Sequence, residues 1–204
     1  VLAIPGTRLR WFGLPLAAIA IWGMWNGPRH DVLVDAEGEL VALRTADGLL
    51  AIHATRSNRF TVENWLAANG LPPGARRGAF DCDDNGCAGR LPGGALVAVP
   101  KTPAALLEDC GRAALVVSNR DVPERCPSPV IDRGLLAATG ALALKKTATG
   151  WQAVPSRAPN ADRPWFGRAT APDAHALARL NGVRQAKKKV PAAAPAPEDD
   201  FDDQ

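Results

Sequence analysis

The side chains best placed to do chemistry are the four cysteines Cys82, Cys87, Cys110 and Cys126, all inside the stretch from Phe80 to Arg133. Thiols can ligate a metal, attack an electrophile or pair with one another, and spacing selects among these. Cys82 and Cys87 flank a turn that contains Gly86, which lets the chain bring their Cα atoms within bonding range. Cys110 and Cys126 would close a loop of about fifteen residues, and a bridge there stabilises by ~3 kcal/mol in the chain-entropy picture. The expectation is two local disulfides, Cys82–Cys87 and Cys110–Cys126, and with them an oxidising compartment. A zinc site stays open as an alternative, because Cys-x4-Cys is a permitted knuckle, although the wider pair is not a second one. Free structural thiols stay open too. A Cys82–Cys110 linkage would overturn the local pairing.

Other reactive types are present without the company they need. His30, His53 and His175 lie far apart, and no His-x-His or His-x-Asp-His run occurs. A catalytic metal usually takes three protein ligands, so each histidine reads as a surface or packing residue, and no metal ligand is assigned. Asp81, Asp83 and Asp84 with Asn85-Gly86 faintly suggest a cation loop. The alternating ligands and distal Glu of a calcium hand are missing, so a solvated turn is expected. Ser118 follows an apolar run, where a nucleophile could sit, yet no Gly-x-Ser-x-Gly elbow surrounds it. Pro92-Gly93-Gly94 precedes a strand pattern, not a helix N-terminus, so it does not read as a phosphate loop. Lys187 to Lys189 reads as a solvated basic tail. No catalytic residue and no cofactor are expected.

These residues sit in a chain of 204 residues, 47% hydrophobic and 22% charged, long enough for one domain with appendages. The chain opens on Val1, and we take it as a piece of a longer polypeptide. Between Asp31 and Arg168 there are 16 Lys/Arg against 15 Asp/Glu, so the body is nearly neutral. A dedicated nucleic-acid surface would show a concentrated basic footprint. Trp11 to Trp25 carries no charge, with tryptophans at both ends like the aromatic belts of a membrane span. At ~1.5 Å per residue it covers only ~22 Å of a ~30 Å hydrocarbon core, and a buried core helix is the bland alternative. We expect a last transmembrane helix over residues 1–29, with Arg8 and Arg10 on the cytoplasmic side and the rest outside.

The elements that must position the cysteines follow from pattern. Asp31 to Ile52 reads as three short strands broken at Glu37-Gly38 and Asp47-Gly48, strong hairpin signals. Ser57 can cap a helix over 58–69 that Gly70 stops. Leu71 to Gly78 is a loop. Strands are expected near 79–82, 87–91 and 95–99. A helix should begin at Pro103 with Thr102 as its cap and end near Cys110-Gly111. Ala113 to Ser118 suits a buried strand. Leu135 and Leu136, the run Ala141 to Leu144, and Trp151 to Val154 complete the pattern. The fold class expected is α/β or α+β, a layered mixed sheet with flanking helices in preference to a bundle or sandwich. Residues 31–154 form the soluble domain, 155–185 an arm with a short basic helix, and 186–204 a disordered Pro/Ala and acidic tail.

The order of these pieces resembles a known family. Trp25-Asn-Gly-Pro-Arg-His is followed by Asp31-Val-Leu-Val-Asp, Val41-Ala-Leu-Arg-Thr-Ala-Asp-Gly, Arg59-Phe60 and Trp65-Leu66. Cys82-Asp-x3-Gly-Cys, Glu108-Asp-Cys, Ala114-Leu-Val-Val-Ser, Cys126-Pro, Val130-Ile-Asp-Arg and Asp162-Arg-Pro-Trp come after. Together they resemble, over residues 1–166, the C-terminal region of ComEC-type competence proteins in their alphaproteobacterial form. These are inner-membrane, multi-pass channels for transforming DNA. The resemblance implies that 31–154 is a reduced, degenerate metallo-β-lactamase-like domain on the periplasmic side. That domain's His-x-Asp-x-Asp-His metal signature and its Asp-Val-Gly-Gln-Gly opening are missing. The implied function is a non-catalytic periplasmic domain of a DNA-uptake channel. A metal-dependent nuclease or hydrolase using Asp81 to Asp84 or Ser118 is one alternative, and a purely structural assembly domain is another. The implied partners are single-stranded transforming DNA through the full-length channel, the membrane, and other competence proteins. The full-length protein would be oligomeric, and DNA-binding residues stay unassigned.

Overall fold

A computed structural model of the chain describes residues 13–25, 29–54, 58–77, 80–122, 126–157 and 180. In order these form α1 (Gly13–Trp25), β1 (Val32–Val34), β2 (Leu40–Arg44), β3 (Leu50–Ala54), α2 (Arg59–Ala68) and β4 (Arg76–Arg77). They continue as β5 (Phe80–Cys82), β6 (Gly86–Arg90), β7 (Leu96–Pro100), α3 (Pro103–Arg112), β8 (Leu115–Val117), β9 (Val130–Ile131), α4 (Arg133–Thr139), β10 (Leu142–Lys146) and β11 (Trp151–Pro155).

The hairpins form where a turn can be made cheaply. Gly38 and Gly48 adopt φ of 70° and 80°, the left-handed region where a side chain is disfavoured. Between β1 and β2 the Asp35 carboxylate accepts the N–H groups of Glu39 and Leu40 at 2.8 and 3.0 Å. Thr102 caps α3 by accepting the Ala105 N–H at 3.2 Å, ahead of a proline in the first turn. Asp132 does the same for α4 through the Leu135 N–H at 2.8 Å.

Two sheets result. One has six strands in the order β11-β10-β1-β2-β3-β4, antiparallel except for β3–β4. The other has five in the order β5-β6-β7-β8-β9, where β7, β8 and β9 run parallel. Alternation along each strand decides which face is which. Val32, Val34, Val41 and Leu43 from the first sheet share one core with Val97, Val99, Leu115 and Val117 from the second. The intervening residues face outward under helices. Leu40 and Leu50 pack with Val62 and Leu66 of α2, and Ala98 and Val116 pack with Leu106 and Cys110 of α3. The layers run helix, sheet, sheet, helix. Trp151 closes the core, 1% exposed, and its indole N–H donates to the Ala114 carbonyl at 2.9 Å. Gly89 lets the sheets approach, since a Cβ there would lie 2.4 Å from Leu43 Cδ1.

The expected mixed α+β class holds, with four helices and strands close to their anticipated bounds. One mixed sheet was expected, and there are two. The short strands β4 and β9 supply additional pairings, the first inside the stretch read as a loop. Helix α2 starts after Asn58, whose side chain makes no capping bond, and Ser57 lies outside the described residues.

The span expected over residues 1–29 finds no support in the helix described there, and residues 1–12 and 26–28 lie outside the described residues. That helix spans 13 residues, about 20 Å at ~1.5 Å per residue. Among the described residues no helix is long and apolar enough to cross a membrane. Nor is it a core helix: Leu14, Leu16, Ile19 and Ile21 are exposed by 53 to 70%. The arm at Arg163 to Gly167, the basic run Lys187 to Lys189 and the tail lie outside the described residues. Leu180 alone is described near there, helical and buried in the shared core.

Candidate functional site

Both expected disulfides form, Cys82–Cys87 with Cα atoms 4.1 Å apart and Cys110–Cys126 with Cα atoms 5.1 Å apart. The first ties directly opposed residues of β5 and β6. The second ties the end of α3 to the segment before β9, where the Ser128 Oγ lies 2.7 Å from the carbonyl oxygens of both Cys110 and Ala113, which share its single proton. There is no free cysteine.

The turn between β5 and β6 is internally bonded. Asp83 Oδ1 accepts the N–H groups of Asn85 and Gly86, each at 2.8 Å. Lys101 Nζ donates to the Asp83 carbonyl at 2.8 Å, and the Lys101 N–H to the Asn85 carbonyl at 2.7 Å. The hairpin is thereby pinned to the start of α3. Gly86 is required by that approach, because a Cβ would lie 3.0 Å from the Val99 carbonyl oxygen. Asp84 points to solvent.

Between the hairpin and α3 lies a cleft of about 470 Å³ whose walls include Asp81, Asp83, Glu108 and Asp109. Burial first, and then the Glu108 carboxylate, push the Asp109 carboxyl above its ordinary range; Arg112 opposes this and Asp83 adds to it. Glu108 also bonds to Arg112 one turn on. Four carboxyl groups on one cleft create a negative potential that disfavours phosphate there.

Ser118 sits elsewhere, at the end of parallel strand β8 and 3% exposed. Its oxygen accepts the Arg120 N–H at 3.1 Å. It borders a small pocket of about 250 Å³ with Pro100, Leu106 and Leu107. Lys101, Arg120 and Asp121 line the same pocket, and among the described residues no histidine is hydrogen-bonded to the Ser118 hydroxyl.

The three histidines have different situations. His30 offers its carbonyl to Arg44 Nε at 2.9 Å, and His175 lies outside the described residues. His53, on β3, turns toward the second sheet. Its ring centroid is 5.6 Å from that of Phe80, and its Nδ1 is 3.9 Å from Cys82 Sγ. Burial, and secondarily Lys101, hold its pKa below the ordinary value, so the imidazole is neutral near pH 7. His53 Nδ1 and the sulfurs of Cys82 and Cys87 lie within 4.8 Å of one another. Reading along the chain does not join residues 53 and 82, because they meet only where two sheets face each other. The one available signal was alternation: His53 shares parity with Ala51, an inward residue.

Comparison with protein-family models, with curated proteins and with solved structures finds no match.

Proposed function

We propose that the chain is a membrane-associated, extracytoplasmic accessory domain of a DNA-uptake channel of the competence type, with no hydrolytic role of its own. The observation that carries the reading is a pairing of features: a wholly apolar, exposed helix stands immediately before a domain with two disulfides. A helix apolar on every side needs lipid or other protein around it. Structural disulfides persist where the compartment is oxidising. The mixed α+β class and the helix–sheet–sheet–helix layering support the reading of a reduced metallo-β-lactamase-like domain, which the resemblance implied with a single mixed sheet.

The acidic cleft bears on two other readings. A divalent-metal hydrolase would need Asp81, Asp83, Glu108 and Asp109 to converge on one ion, and among the described residues they do not group closely enough to do so. A purely assembly role is favoured by the same charges repelling DNA. The proposed domain contacts DNA only through the rest of the channel, because the cleft beside α3 is acidic.

The test is labelling of the cysteines in intact spheroplasts by a membrane-impermeant maleimide, before and after reduction. Labelling only after reduction is expected. Labelling only after lysis would overturn the extracytoplasmic reading. In parallel, purified chain should leave single- and double-stranded DNA intact with Mg²⁺, Mn²⁺ or Zn²⁺. Metal-dependent cleavage lost on Asp81→Asn would replace the proposal with the hydrolase.

A further inference from the structure

We propose that Cys82, Cys87 and His53 form a redox-gated site for a soft or borderline divalent metal such as Zn²⁺, masked while the disulfide is closed. The inference is independent of where the domain resides.

The argument begins with donor geometry. In a tetrahedral zinc centre, bonds of ~2.3 Å to sulfur and ~2.1 Å to nitrogen place neighbouring donors roughly 3.6 to 3.8 Å apart. His53 Nδ1 already stands 3.9 Å from Cys82 Sγ, and the three donor atoms lie within 4.8 Å of one another. Cys82 and Cys87 are directly opposed across β5 and β6. Their Cα atoms stand 4.1 Å apart, so once the bond is broken a rotation about χ1 separates the two sulfurs by the distance a metal needs with little backbone movement.

Charge agrees with this. Two thiolates neutralise a dication, which removes most of its repulsion from the Lys101 ammonium nearby. Cys82 is exposed while Cys87 is 4% exposed, so the fourth position opens to solvent on the Cys82 side. Cys110 and Cys126 have no described imidazole beside them and carry no comparable set.

The gate is ordinary thiol–disulfide exchange with a dithiol reductant. A thiolate of the reductant attacks the accessible Cys82 sulfur, the Cys82–Cys87 bond breaks, and Cys87 leaves as thiolate. The second thiol of the reductant then attacks the mixed disulfide. It frees Cys82 and leaves the reductant as its own disulfide. Two electrons enter the pair, and the two thiol protons pass to solvent when the metal binds.

Cobalt(II) is the probe, added to full-length chain as purified and after reduction under argon with the reductant removed. Reduced protein should bind Co²⁺ with thiolate charge-transfer bands and the ligand-field bands of a tetrahedral ion. Oxidised protein should show neither. Cys82→Ser should abolish the bands, and His53→Gln should weaken binding by about tenfold or more, since even partners one shell further out matter by that much. Should reduction loosen the fold, Zn²⁺ added during reduction should raise the Tm of the wild-type chain by more than that of His53→Gln. Bands unaltered by both substitutions would place the metal at Cys110 and Cys126 and overturn the proposal. So would the absence of both bands and Tm shift.

Discussion

Asp35 shows how one buried carboxylate holds a turn. It is 6% exposed and accepts the backbone N–H groups of Glu39 and Leu40. Burial raises its pKa above the ordinary 3.8 even though those N–H groups pull the other way, and Glu37 adds to the rise. The folded state therefore favours the protonated form. Its contribution is complete below the ordinary carboxylate pKa and is lost as pH rises through the raised one. Asp35→Asn keeps an acceptor without the charge, so it should flatten stability across the acid range. Asp35→Ala strands two donors and should lower unfolding free energy by about 1–3 kcal/mol. Urea denaturation of both variants at several pH values checks the pair, and equal losses would contradict the assigned role.

At the scale of elements, α3 and its bridge hold one face of the second sheet. Cys110 lies on the buried face of the helix, and Cys126 anchors the segment that leads into β9. Replacing both with Ser releases a loop closed by a sequence separation of 16. The expected loss is ~3 kcal/mol, read as a lower denaturant midpoint with the β7–β8 pairing intact by amide exchange. Much at this scale was legible. Glu37-Gly38 and Asp47-Gly48 marked turns because only glycine accepts the backbone angle cheaply, and Thr102-Pro103 marked a helix start by capping chemistry. Two-residue strands such as Val130–Ile131 were not legible, since nothing local distinguishes them from loop. The division into two sheets depends on long-range pairing, for which alternation gives parity and no partner. The same limit hid His53 from Cys82, while the disulfides were visible because both pairs are local.

For the whole molecule, the closeness of the two sheets is the property most open to test. Gly89 faces Leu43 and Phe80, and a methyl group there would fall 2.4 Å from Leu43 Cδ1 and 3.1 Å from Phe80 Cδ1. Gly89→Ala should therefore destabilise by about 1–3 kcal/mol, the usual cost of overpacking. Leu43→Ala placed on that background should recover part of the loss, through the space it opens, relative to the sum of the single changes. Strict additivity in a double-mutant cycle would mean the sheets do not meet at this point.

The pairing of β1 with β10 has a consequence for how the domain is made. Asp31 Oδ2 accepts the Lys146 N–H across a separation of 115 residues, and Val32 to Val34 lie in register with Leu144 to Leu142. During synthesis the first strand can find β2 at once, but its other edge stays open until almost the whole domain has been delivered. An unpaired edge invites the wrong neighbour, and distant pairings close slowly. A nascent chain cut short before residue 142 would carry its first hairpins and all four cysteines of its two disulfides, yet its first sheet would lack a flank. Completion comes late, when the last strands arrive, and until then the growing polypeptide is a client for whatever guards unfinished proteins.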